Sequence, residues 1–143
     1  MVLDDHLLLR ILLEDEPAEL RPGGARIFTT GLWYHRLCRS LSNRTVVGVF
    51  SRPLANAGPA VAAAAIEAIT RLPDSIELLS LRDLAWPMAR LVDEGVRLNL
   101  LSLEALAAAE HLEAELCLAV ADENPPLLGA ARARSRPLRV LDS

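Results

Sequence analysis

Residues 101–122 read LSLEALAAAEHLEAELCLAVAD and predict a helix followed directly by a strand. Ser102 is a suitable N-cap, and apolar side chains then recur at helical spacing. The apolar positions are Leu101, Ala105, Ala108, Leu112 and Leu116, whereas Glu104, His111 and Glu115 lie on a different face. The helix is expected to end near Glu115. Residues 116–121 are wholly apolar, which favours a strand that is buried on both faces of a sheet and ends at Asp122.

The two acids of this stretch are therefore predicted at the ends of elements. Glu104 is expected in the first turn of the helix, and Asp122 is expected where the strand ends. In an open α/β sheet, ligand sites form where strands end and the adjoining helices begin. Both acids are candidates for one site.

Strands and helices alternate along the rest of the chain. The further predicted strands are residues 2–4, 26–29, 45–50, 76–79 and 138–141. The further predicted helices are residues 6–14, 31–41, 60–72, 81–92 and 123–134, and residues 53–59 are predicted to form a loop. This alternation predicts one domain over residues 1–143, an α/β fold built as a three-layer α/β/α sandwich with a mainly parallel sheet.

Composition limits the class of protein. The 143 residues can bury a real core, and no apolar run is long enough to span a membrane. Asp4 and Asp5 precede the first apolar run, so no secretory signal is predicted and a cytoplasmic location is expected. The net charge of −4 argues against a general nucleic-acid binder. However, residues 21–66 contain no acid and six arginines, which is typical either of a solvated surface or of a phosphate-contacting or partner-contacting patch.

Several short motifs resemble the PIN domain, the nuclease fold of VapC-type toxins. They are Glu104-Ala105-Leu106 with the alanines up to Ala109, Ala121-Asp122 at a strand end, and Val2-Leu3-Asp4 before an apolar helix. The resemblance implies a PIN-like fold and a metal-dependent endoribonuclease. By the same resemblance, Asp4, Glu104 and Asp122 would be the catalytic acids and would bind Mg²⁺ or Mn²⁺. Such a cation polarises a phosphodiester and activates water.

The second acid of the family pattern is missing. It would lie in the helix predicted at residues 31–41, which carries Trp33, Tyr34, His35 and Arg36 instead. The first acid is followed by Asp5 and His6 rather than by hydroxyl residues, Glu104 replaces an aspartate, and Val120 replaces a hydroxyl residue. These departures indicate that the metal site is altered or lost. They also suggest a hypothesis, namely that an inward-facing Arg36 or His35 replaces the cation electrostatically.

Each acid also has a simpler interpretation. Glu104 would be stabilised by the helix dipole in any protein, and Asp122 could cap the following helix. Asp5 and His6 could substitute as ligands for the missing acid, but adjacent strand residues point to opposite faces. His6, His35 and His111 show no common ligand spacing, and Cys38 and Cys117 are typical of small buried hydrophobes.

Two functions follow from these observations. The first is an endoribonuclease resembling a VapC toxin, with RNA as substrate, a small antitoxin protein as partner and a homodimer as the expected assembly. The second is a catalytically inactive PIN-like protein that serves as an interaction or regulatory module. A nucleotide-binding domain has little support, because Pro22-Gly23-Gly24 matches neither a phosphate loop nor a dinucleotide fingerprint.

Overall fold

The central sheet is built from parallel strands. A computed structural model describes residues 1–21, 24–42 and 51–142. Within these residues the strands are β1 (Val2–Leu3), β2 (Ile27–Thr30), β3 (Ile76–Leu79), β4 (Leu116–Ala119) and β5 (Leu138–Leu141). They form one five-stranded sheet in the order β3–β2–β1–β4–β5, with every neighbouring pair parallel. The short β1 lies at the centre, where Val2 pairs with both Phe28 and Leu116.

Helices cover both faces of this sheet. They are α1 (Asp5–Leu12), α2 (Gly31–Ser42), α3 (Ser51–Asn56), α4 (Pro59–Thr70), α5 (Leu81–Asp93), α6 (Leu100–His111) and α7 (Pro125–Ala133). One hydrophobic cluster joins the sheet to α5, α6 and α7, and a second joins it to α1 and α4. The chain is therefore a three-layer α/β/α sandwich with an all-parallel sheet, as predicted. Among the described residues, no helix combines the length and the apolarity needed to cross a bilayer.

The two central strands supply side chains to both clusters. Val2 and Leu116 pack in the α5–α7 cluster, whereas Leu3 and Cys117 pack in the α1–α4 cluster, and all four are fully buried. Alternate side chains of a strand point to opposite faces, so a strand covered on both sides must be apolar throughout. This explains the wholly apolar sequence of β4.

The helix α6 is buried on almost every side. Residues 102–109 are all buried, including Glu104. The small alanine side chains let neighbouring elements approach closely, so this helix has no polar face over its central turns. The face of α6 that carries Glu104 is therefore buried as well as the face that carries the apolar stripe.

The ends of this segment also differ from prediction. Asn99, not Ser102, is the N-cap of α6, and its side chain accepts the Ser102 backbone N–H at 2.8 Å. The helix begins at Leu100, so Glu104 lies in the second turn rather than the first. It ends at His111, earlier than predicted, and β4 ends at Ala119. Val120–Asp122 then forms a turn of 3₁₀ helix, so Asp122 lies three residues beyond the strand.

Most other elements lie where the sequence predicts them. The strands β3 and β5 have the predicted bounds, and α2, α4, α5 and α7 begin and end within two residues of prediction. The loop predicted at residues 53–59 is wrong, because residues 51–56 form α3. Pro53 falls in the first turn of that helix, where a missing N–H costs nothing. The strand predicted at residues 45–50 lies outside the described residues.

Candidate functional site

The candidate site lies at the carboxyl edge of the sheet, between β1 and β4. Asp4 directly follows β1, Asp122 follows β4, and Arg36 projects from the second turn of α2, which starts where β2 ends. After β1 the chain forms β2 on one side of β1, and it later returns to form β4 on the other side of β1. Such a reversal of strand order opens a crevice at this edge of an α/β sheet.

Asp4 is fully buried and its carboxylate is bonded to backbone on both oxygens. Oδ1 accepts the Leu7 N–H at 2.8 Å and so caps α1, while Oδ2 accepts the Ala119 N–H at 2.6 Å. Burial raises the pKa of Asp4 to about 7, and the nearby charges of Asp5 and Asp122 add to that rise against the two amides, which lower it. Asp4 thus joins the start of α1 to the end of β4.

Arg36 connects two carboxylates across this edge. Its Nε and Nη2 donate to the two oxygens of Asp5, and its Nη1 and Nη2 donate to those of Asp122 at 3.0 Å and 2.5 Å. The Asp5 side chain is fully buried, Asp122 is 20% exposed and Arg36 is 33% exposed. Paired N–H donors from one guanidinium to each carboxylate are the strongest geometry that an Arg–Asp contact offers. The guanidinium therefore occupies the space between these two acids.

Burial and ion pairing compete at this contact. Burial raises the pKa of Asp5, and the hydrogen bonds and charge of Arg36 oppose that rise. Burial lowers the pKa of Arg36, but its two carboxylate partners outweigh this effect and raise the pKa above its usual value. The neighbouring His6 is half-buried, and burial lowers its pKa despite the charges of Asp5 and Asp122. Arg36 is the fixed positive charge of the site.

Glu104 performs a different task from the one expected. Its Oε2 accepts the Leu32 N–H at 2.9 Å, so a carboxylate from α6 binds the N-terminus of α2. A negative charge is favourable there because the first N–H groups of a helix have no partner within it. The other oxygen, Oε1, is buried without a hydrogen-bond partner in the described residues. It lies 3.5 Å from the point where a Cβ of Gly31 would be, which is an ordinary van der Waals distance.

A small cleft adjoins the Arg36–Asp122 contact. Its volume is about 120 Å³. It is lined by Trp33, Arg36, Asn99, Leu101, Ser102, Asp122, Asn124 and Leu127. Asn124 caps α7 through the Leu127 N–H and also donates to the Ser102 hydroxyl at 3.0 Å. The starts of α6 and α7 are thereby fixed beside the site, with their capping side chains already engaged.

The residues as arranged do not suit a divalent metal. Within residues 1–21, 24–42 and 51–142, no three His, Cys, Asp or Glu side chains lie close enough together to hold a metal ion. Both oxygens of Asp4 bind backbone amides, both oxygens of Asp122 bind Arg36, and Glu104 binds α2. A hard dication needs several free carboxylate oxygens in one place. Metal binding by Asp4, Glu104 and Asp122 thus stays a prediction that would require these contacts to change.

Two residues of this edge were not among the predicted ligands. Asp5 was expected to face away from Asp4, but the chain leaves the strand at Leu3 and Asp5 starts α1, so its carboxylate reaches Arg36. Arg36 had been suggested as an inward-facing cation, and it does face the acids, whereas His35 is exposed. Helical spacing in the sequence indicates the inward position of Arg36, because Arg36 follows Trp33, which is buried, by one turn of the helix.

Comparison with known proteins adds no identification. No family model, curated protein or solved structure matches the chain. The chemistry of this edge therefore has to be inferred from its own contacts.

Proposed function

We propose that this chain is a PIN-like protein in which an arginine takes the place of the cation, so that it acts as an interaction or regulatory module. One observation carries the proposal. The Arg36 guanidinium is hydrogen-bonded to both Asp5 and Asp122, which occupy the edge where the resemblance would place catalytic metal ligands. Arg36 also lies in the helix where the family pattern would have an acid.

The charges at this edge support the same interpretation. Crowded carboxylates repel one another unless a cation lies between them. A guanidinium supplies that positive charge permanently, because its pKa stays far above neutral pH. It holds no water molecule for attack on a phosphodiester, unlike a bound dication. An edge neutralised in this way is stable without a metal.

A second candidate function is the metal-dependent endoribonuclease. It is favoured by the convergence of Asp4, Asp5 and Asp122 at the switch point of the sheet, where the charges of Asp5 and Asp122 act on Asp4. For this function, Arg36 would have to leave Asp122 so that Mg²⁺ or Mn²⁺ could reach the carboxylates. The partners would then be RNA and an antitoxin protein that covers this edge, on a homodimeric enzyme.

Calorimetric titration with Mg²⁺ and Mn²⁺ separates the two candidates. The natural chain is compared with Arg36→Met, which keeps the volume of the side chain and removes its charge. Arg26→Met is the matched control, since Arg26 pairs with Glu77 at an exposed position far from this edge. We expect no saturable binding by the natural chain or the control at millimolar metal. We expect saturable binding by Arg36→Met, lost again when Asp122→Asn is added.

The opposite result would reject the proposal. If the natural chain binds metal saturably and the double variant Asp4→Asn with Asp122→Asn does not, the acids form a metal site despite Arg36. Metal-dependent cleavage of RNA by the natural chain, abolished in the same double variant, would establish the nuclease instead.

A further inference from the structure

The outer side of α5 carries an exposed tryptophan. Trp86 is 74% exposed, more than any other large hydrophobic side chain in the described residues. The opposite side of the helix packs against α6 through Leu84, Met88 and Leu91, which are buried. Helix α5 thus has one face in the core and one apolar group in solvent. An exposed indole exposes on the order of 200 Å² of largely apolar surface, the kind of group that anchors interfaces.

Four exposed residues follow one line along this outer side. Arg82, Trp86, Ala89 and Asp93 are spaced by four, three and four residues, the spacing at which helical residues share a face. We call these four residues the α5 line. It has a cation near the N-terminus of the helix, a large and a small apolar residue in the middle, and an anion at the C-terminus. Leu81 and Val92, which are 48% and 43% exposed, lie beside it.

The charges of the α5 line run against the helix dipole. A cation is unfavourable in the first turn of a helix, and an anion is unfavourable in the last. Within the parts of the chain that the structure describes, neither Arg82 nor Asp93 forms an ion pair. Within the chain, the charge of Arg82 acts favourably on its neighbour Asp83. Arg82 and Asp93 are both exposed, so each can also meet an opposite charge outside the chain.

We propose that the α5 line pairs in antiparallel orientation with the α5 line of a second copy of this chain. The inference is independent of the proposed function, because it uses no residue of the acidic edge. A two-fold axis perpendicular to the helices maps one side of a helix onto the same side of its partner and reverses its direction. Arg82 and Asp93 are centred on the same point of α5 as Trp86 and Ala89, so a single two-fold axis at that point pairs Arg82 with Asp93 and Trp86 with Ala89.

Every position of the line then meets a complementary one. Arg82 of one copy faces Asp93 of the second copy, and the reverse contact repeats it. Each Trp86 lies over the small Ala89 of the second copy, which leaves space for the indole. Charges at opposite ends set the register, since any parallel pairing would bring like charges together. The surface that fits the α5 line by charge and by size is therefore the α5 line of a second copy.

Charge reversal tests the pairing. Arg82→Asp and Asp93→Arg each create two like-charge contacts in a symmetric pair, so each variant alone should associate roughly tenfold more weakly than the natural chain. An equimolar mixture of the two variants restores both contacts, because one chain is then acidic and the other basic at both ends of the line. Sedimentation velocity over a concentration series measures the association, and the fluorescence of Trp86 should shift to the blue as it is buried.

Two further variants complete the design. Trp86→Ser should weaken association in the natural chain, whereas Arg132→Asp, the same charge change at an exposed position on α7, should leave it unchanged. The proposal is overturned if the natural chain stays monomeric at every concentration, which would assign the α5 line to a partner of another kind. It is equally overturned if the chain associates but the mixture of variants is no stronger than either alone, because another face would then carry the contact.

Discussion

Replacing Arg36 by alanine should destabilise the fold far more than the loss of a surface arginine. The substitution leaves Asp5, whose side chain is fully buried, and Asp122, which is 20% exposed, without their common cation. Removing one partner of a fully buried ion pair costs about 3–5 kcal/mol. Because Arg36 is itself 33% exposed and water can partly screen Asp122, we expect about 3 kcal/mol at neutral pH. The loss should shrink at low pH, where Asp5 can take up a proton.

Urea unfolding followed by circular dichroism measures this loss as a shift in the midpoint at constant slope. Arg26→Ala is the matched control, since the Arg26 side chain is 74% exposed and its pair with Glu77 should contribute at most about 1 kcal/mol. The triple variant Arg36→Met, Asp5→Asn and Asp122→Asn should recover much of the lost stability, because no uncompensated charge is left. Equal losses in Arg36→Ala and Arg26→Ala would refute the view that Arg36 holds this edge together.

Three further predictions follow from the same edge. The rise in the pKa of Asp4 from 3.8 to about 7 means that the folded chain binds this proton more tightly than the unfolded chain. The contribution of Asp4 to the free energy of unfolding is therefore fully present below pH 4, and roughly 4 kcal/mol of it is lost as the pH rises to 7. Urea melts at several pH values measure this dependence, and Asp4→Asn should make the free energy of unfolding depend less on pH. Glu104→Ala should lower the free energy of unfolding by about 2–3 kcal/mol, because it empties a buried site and leaves the Leu32 N–H unpaired. Glu104→Gln keeps an acceptor for that N–H, so it should lower the free energy of unfolding by less than about 1 kcal/mol. Asn99→Ala should cost about 1 kcal/mol by removing the cap of α6, and equal melting temperatures for this variant and the natural chain would contradict that assignment.

The fold could be predicted where local pattern and packing agree. β3 and β5 are short runs in which three of the four residues are apolar, bounded by proline or a helix cap, and their bounds were predicted correctly. Helix α6 was harder because its alanines are buried on all sides, so periodicity does not mark where the helix starts. Asn99 and Ser102 are both good caps by residue type, and the backbone geometry that selects Asn99 depends on the turn before it. Residues 51–56 contain proline, which favours a loop by composition, but Pro53 is tolerated in the first turn of α3.

The site could be predicted in part. The positions of Asp4 and Asp122 at the carboxyl edge follow from the strands that precede them. The partner of Asp122 does not, because Arg36 is 86 residues away along the chain and no local pattern records so distant a contact. Glu104 shows the same difficulty: a carboxylate in an alanine-rich helix suggests a ligand, but its use as an acceptor for the start of α2 depends on tertiary packing.

Charge balance at the carboxyl edge supports the proposal that Arg36 takes the place of a cation. A fourth carboxylate in α2 would need a dication to neutralise the group, and the site would be unstable without one. With Arg36 in that helix, Asp5 and Asp122 share one permanent cation, while burial, and to a smaller extent the charges of these two carboxylates, raises the pKa of Asp4. Such an edge needs no metal ion to hold its acids in place. If Arg36 takes the place of a cation as proposed, the guanidinium stabilises the carboxylates of Asp5 and Asp122 without a metal ion, which accounts for their arrangement around it.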